Sequence, residues 1–118
     1  MKKIYYLSTC DTCKRIIKEV GIDQGFEFQD IKFEPITSGQ IEQMHSYSGS
    51  YESLFSRKAR KFRAMGLADK DLNEQDYKEL ILQEYTFLKR PVVIIENEIF
   101  IGNSSKNVAL LKERISKN

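Results

Sequence analysis

The chain has 118 residues, 41% hydrophobic and 31% charged, the composition of one folded domain and too apolar for a disordered segment. Its formal net charge is +2, so no global field recruits nucleic acid or a membrane surface. Two Cys, two Pro and six Gly exclude a disulfide scaffold, a collagen and a low-complexity tail.

Met1-Lys2-Lys3 starts like the basic end of a signal peptide, but the apolar stretch behind it is only Ile4-Tyr5-Tyr6-Leu7, too short for an h-region. The later run 91–95 is far short of the about 20 residues a spanning helix needs. These features read as a cytoplasmic protein. In that compartment thiols are kept reduced, so a close Cys pair points to redox chemistry or metal binding rather than to a structural bridge.

Residues 4–7 are a short β-branched and aromatic run, the pattern of a buried strand. A helix follows from Asp11 to Val20, with Cys13, Ile16, Ile17 and Val20 on one apolar stripe and Lys14, Arg15, Lys18 and Glu19 on the other side. Gly21 stands where a helix turns left-handed to stop. Phe26 and Phe28 alternate with Glu27 and Gln29 as in a half-buried strand, a pattern that Asp30 breaks. Thr37-Ser38 caps a helix carrying Ile41 and Met44, and residues 46–50 read as a Ser/Gly loop. Phe55, Ala59 and Phe62 mark a third helix closed by Gly66. Asn73 caps a fourth, in which Tyr77, Leu80, Ile81 and Glu84-Tyr85 repeat with helical spacing.

Pro91 breaks the helical pattern, since it lacks a donor and disfavours helix just before it. Residues 92–95 are apolar on both faces and suit a central strand. Glu96-Asn97-Glu98 is a tight turn, with Asn97 able to take the left-handed conformation. Residues 99–101 return as a strand, and Gly102-Asn103-Ser104 leads to a last helix with Val108, Leu111 and Ile115. The order strand, helix, strand, helical insert, strand, strand, helix has no internal repeat or linker. It predicts an α/β fold in which helices flank a mixed β-sheet.

The sharpest chemical signal is Cys10-Asp11-Thr12-Cys13 where the first strand ends and the first helix begins. Helix geometry brings residues three apart close enough for their sulfurs to meet. Cys10 sits at the helix mouth, where unpaired N–H groups and the dipole favour an anion. Lys14 and Arg15 add to this, and Asp11 opposes it. Cys13 lies on the apolar stripe and is the more buried of the two. Cys10 is therefore expected as the nucleophile and Cys13 as the resolving thiol, the two forming a redox-active disulfide. The competing reading is that both cysteines merely fill space. A zinc site is disfavoured, because one Cys pair and a single His, His45 in a polar stretch, do not make four ligands.

Two further signals are cationic. Arg90-Pro91 precedes a buried strand; a Pro there is often cis and faces the reactive thiol, which would hold Arg90 near Cys10 to stabilise a thiolate and grip an oxyanion. The alternative is a surface Arg beside a plain helix stop. Arg57-Lys58-Ala59-Arg60-Lys61-Phe62-Arg63 places five cations in seven positions. Such a run is ordinarily a solvated face, but it can also dock nucleic acid or an acidic partner, or let Arg57 complete an anion pocket.

The opening strand with Cys10-Asp11-Thr12-Cys13-Lys14-Arg15, the insert ending Phe62-Arg63-Ala64-Met65-Gly66-Leu67, and Lys89-Arg90-Pro91-Val92 together resemble the ArsC family. That family includes glutaredoxin-coupled arsenate reductases and the Spx-type redox regulators. The resemblance covers nearly the whole chain. It implies a single thioredoxin-like domain over 1–118, with a helical insert at about 37–89. It also implies a catalytic set of Cys10, Cys13 and Arg90, with Arg57, Thr12 and Pro91 at the oxyanion; Lys58 is the neighbouring candidate to Arg57. Arsenate or a similar oxyanion is the implied substrate. No bound cofactor or metal is implied, and glutathione/glutaredoxin or thioredoxin is the electron donor. The reductase branch carries a third Arg in the hairpin region, where this chain has Phe100-Ile101-Gly102-Asn103, and commonly has Ser at the place of Cys13. The Cys-x-x-Cys is closer to the Spx-type pattern, whose implied partner is RNA polymerase. Neither a membrane nor direct nucleic-acid contact is expected.

Overall fold

Strand β1 (Lys2–Tyr6) takes the centre of a four-stranded sheet because it can bury both faces. The structure, a computed structural model, describes residues 1–117. β1 pairs in parallel with β2 (Glu27–Asp30) and antiparallel with β3 (Val92–Ile95), which pairs antiparallel with β4 (Glu98–Ile101). The order β2-β1-β3-β4 is the mixed sheet expected of an α/β fold.

By contact the chain divides into two units, Met1–Glu34 with the chain from Arg90 onward, and Pro35–Lys89. The first holds the sheet, α1 (Asp11–Val20) and α5 (Ser105–Ser116). Ile4, Val93 and Phe100 lie in register across three strands and join Ile16 and Val20 of α1 and Val108 and Leu111 of α5 in one apolar cluster. α1 spans the expected residues and stops at Gly21, whose φ of 83° needs the left-handed freedom of glycine.

The second unit holds α2 (Ser38–Ser48), α3 (Arg60–Ala64), α4 (Glu74–Gln83) and short 3-10 turns between them. Thr37 and Asn73 each close a reciprocal capping box at the start of α2 and α4. Phe55 is ringed by Phe62, Tyr77 and Phe87 at centroid distances of 5.9, 5.0 and 5.1 Å.

Four local expectations are corrected. The fourth helix stops at Gln83 instead of running through Glu84-Tyr85, because Glu84 is extended and its carboxylate caps a separate 3-10 turn by accepting from Thr86 N–H. Residues 46–48 are helix, not loop; Ser is only a mildly poor helix former, and α2 runs on to the left-handed Gly49. The third helix does not begin at Phe55. That residue is extended and bridges Leu88, with Ser56 N–H donating to the Phe87 carbonyl at 2.7 Å and Lys89 N–H to the Leu54 carbonyl at 2.8 Å. This pairing with a distant segment outweighs local periodicity, so α3 starts only at Arg60. In the hairpin the left-handed residue is Glu96, φ 54°, rather than Asn97. Glu96 is held there by its N–H on the Met1 carbonyl at 2.8 Å and its carboxylate on the N-terminal amine at 3.2 Å. No helix among the described residues is long and apolar enough to cross a membrane.

Candidate active site

The site begins where β1 runs out. Cys10 N–H donates to the Leu7 carbonyl at 3.1 Å, which closes a tight turn, and the Cys10 carbonyl accepts the first helical bond of α1 from Lys14 N–H at 3.1 Å. Cys10 is thus the N-cap residue, in extended conformation. Its side chain makes no capping bond, so the sulfur is not tied down by the donors of the first turn. Cys10 is partly exposed, Cys13 is fully buried, and both are free thiols.

The stripe of α1 that carries Ile16 into the core carries Cys13 with it, one turn inside Cys10. Burial pushes the Cys13 thiol up to about 11, helped by its hydrogen bond to the Cys10 sulfur and by the negative charge of a Cys10 thiolate. A hydrogen bond with the Leu7 backbone and the Arg90 guanidinium pull the other way but do not win. The two cysteines are therefore close, and the positive charge of Arg90 reaches Cys13. Pro91 follows on a cis bond. Thr12 is half-buried in the first turn of α1.

Arg57 lies in the second unit, outside any helix. Its guanidinium donates to Glu52 Oε2 at 2.8 Å and to the Tyr77 hydroxyl at 2.6 Å, and it sits over the Tyr77 ring. An oxyanion taken by Arg57 has to displace a carboxylate. Lys58 is exposed, and Lys61 pairs with Glu84 at 2.7 Å instead of facing solvent alone. His45 stacks on Tyr51 at 4.2 Å, and its Nε2 is 3.9 Å from Glu74. No group of three or more metal-ligating side chains occurs among the described residues.

One feature of the site has no counterpart in the motif. Asp30, legible in the sequence only as a break in alternation, accepts hydrogen bonds at Oδ2 from both Ser8 N–H, at 3.3 Å, and the Ser8 hydroxyl, and at Oδ1 from Lys32 N–H at 3.2 Å. Burial pushes its carboxyl up, but the bonds from Ser8 and Lys32 outweigh that and hold it below the usual carboxylate range.

The two thiols should part under alkylation. At pH 7 on the order of 10⁻⁴ of a thiol titrating near 11 is ionised, so native protein should be labelled by iodoacetamide at Cys10 and protected at Cys13, both reacting in denaturant. The same shift carries a stability sign. The unfolded chain gives up the Cys13 proton near 9.0 and the folded chain near 11, so stability is intact below that window and falls as pH rises through it. Urea midpoints on either side of pH 9.0 should drop in wild type and drop less in Cys13→Ala; equal slopes would show that Cys13 is not the buried thiol described.

A family model described as the ArsC family matches residues 5–111. Among solved structures, one described as a possible arsenate reductase from Streptococcus mutans is 26% identical, with a TM-score of 0.68 over 89% of this chain and 92% of that one. A Staphylococcus aureus protein solved by NMR is 25% identical, with a TM-score of 0.70 over 91% and 94% of the two chains. An arsenate reductase from Vibrio cholerae, 13% identical, superposes with a TM-score of 0.76 over 93% and 96% and shares the fold. That fold is thioredoxin-like α/β. No curated protein matches the chain.

Proposed function

The chain belongs to the ArsC family, whose members are thiol-dependent oxidoreductases, and we propose that it reduces arsenate to arsenite through Cys10. The observation that carries this reading is Cys10 at the start of α1, close to Cys13, whose thiol the Arg90 charge reaches. Arsenate binds over the first turn of α1, where unpaired N–H groups and Arg90 offset its charge. Thr12 in the first turn and Pro91 after Arg90 are the further residues assigned to the oxyanion, while the Arg57 guanidinium is engaged by Glu52 and Tyr77. Cys10 Sγ attacks arsenic, and one oxygen departs as water. A second thiol then attacks Cys10 Sγ. The sulfur–sulfur bond forms as the sulfur–arsenic bond breaks, its electron pair stays on arsenic, and arsenite leaves. The second thiol is Cys13 or glutathione. Cys13 is already close but must first lose a proton it holds tightly, which favours an external thiol near neutral pH. Glutaredoxin or thioredoxin reduces the resulting disulfide, and no bound cofactor enters.

The test is arsenate turnover with glutathione and glutaredoxin, or with thioredoxin, as donor. Wild type is expected to turn over and Cys10→Ser to fall to background; equal rates overturn the reading. A second reading, an Spx-type redox regulator that binds RNA polymerase, is favoured by the closeness of Cys10 and Cys13 and by a hairpin stretch, Phe100-Ile101-Gly102-Asn103, without an Arg. It predicts capture of RNA polymerase that changes with oxidation and is lost in Cys13→Ser, with no arsenate turnover.

A further inference from the structure

We propose that Asp30 is a positioning residue for Cys10, its carboxylate tying the end of β2 to the loop that sets the thiol at the mouth of α1. This rests on the reading of Cys10 as the reacting thiol. β1 and β2 are parallel and end at the same edge of the sheet, where Ile31 N–H donates to the Tyr6 carbonyl at 3.0 Å. Beyond that bond the two backbones part. One goes through Leu7-Ser8-Thr9 to Cys10, and the other turns back over residues 31–34. Asp30 fastens both. Its carbonyl accepts from Phe33 N–H at 3.1 Å and Glu34 N–H at 2.8 Å. Its carboxylate takes Lys32 N–H on one oxygen and both Ser8 donors on the other.

Ser8 is two residues before Cys10, inside the turn closed by Cys10 N–H on the Leu7 carbonyl. With Ser8 fixed at one end and the first turn of α1 at the other, the backbone that carries the sulfur is held on both sides. Charge alone argues the opposite role. A carboxylate near this loop opposes a second negative charge on sulfur, so an Asp30 that acted by charge would slow Cys10, and its removal would speed it. Positioning and charge therefore predict opposite signs.

The experiment is the rate of iodoacetamide modification of Cys10, followed by mass in native protein near pH 7. Asp30→Ala and Ser8→Ala are each expected to slow it by about threefold to tenfold, the scale of losing the net contribution of one ordinary hydrogen bond. The double variant should be no slower than Asp30→Ala, because both changes cut the same link. Asp30→Asn keeps an oxygen for Ser8 without the charge and should recover part of the rate. Ser8→Ala removes only a hydroxyl, so it carries the test if Asp30→Ala does not fold. Unchanged rates, faster rates, or strictly multiplicative losses overturn the proposal while leaving the thiol reading intact. A wild-type Cys10 that reacts no faster than Cys13 overturns both.

Discussion

Arg90→Ala is expected to lower arsenate turnover by about 10²- to 10³-fold, the loss seen when one preorganised donor to a developing oxyanion is removed. Arg90 leads through Pro91 into β3, so its backbone is fixed by the sheet, and its charge acts on the Cys13 thiol through space. Near a dianion and a thiolate, a guanidinium offers two parallel N–H donors in one plane. Arg90→Lys keeps the charge but loses that fork, and it should fall between wild type and Arg90→Ala. A second readout needs no substrate. The Arg90 charge holds the Cys13 thiol down, so without it Cys13 should titrate above its present value of about 11, and the alkaline fall in stability, which still begins near 9.0, should run to higher pH and become larger. Wild-type turnover in Arg90→Ala would remove Arg90 from the mechanism. Lost turnover with an unmoved Cys13 would place its action on the oxyanion alone.

The parts of the fold legible in the sequence are those where local pattern and final packing agree. Cys13, Ile16 and Val20 recur at helical spacing, and all three are buried in α1. Thr37 and Asn73 announce α2 and α4 because a cap is made of neighbours in sequence. Phe55 misleads because its partners, Tyr77, Phe87 and Leu88, lie far along the chain. A strand-like bridge to such a distant segment leaves no trace in the spacing of apolar residues. Glu96 misleads for a related reason, since it is the N-terminal amine that holds it in a conformation better suited to Asn97.

The site divides along the same line. The Cys pair is legible because both members sit on one helix, and Arg90 because Pro91 and the apolar run behind it mark a strand start. Arg57 shows the limit of charge counting: the run of cations is plain, but only the structure shows Glu52 and Tyr77 taking the guanidinium. Asp30 shows in the sequence only as a break in alternation, with no sign of a role. A carboxylate that ends a strand is a common sight, and its partner Ser8 is 22 residues away. A hydroxyl two residues before a helix-start Cys, with an Asp at the end of the next parallel strand, is the signal that could have found it.

Ile16→Ala should cost about 2–5 kcal/mol, because the cavity it leaves lies at the junction of α1, α5 and the sheet. Ile16 is fully buried one turn beyond Cys13, between Ile4 and Val93 on the strands and Val108 and Leu111 on α5. The same contacts press α1 onto the sheet and keep Cys13 from water. The variant should therefore show a lower urea midpoint and, in native protein, faster alkylation of Cys13, since the openings that expose it come at lower free energy. Cys10 is already partly exposed at the helix start, so its labelling should change far less. Leu110→Ala, on an exposed part of α5, is the matched control and should stay within about 0.5 kcal/mol of wild type. If Ile16→Ala lowers stability and Cys13 stays protected, α1 is anchored around that thiol by something other than the apolar stripe. If neither changes, the shared use of α1 by core and site is wrong.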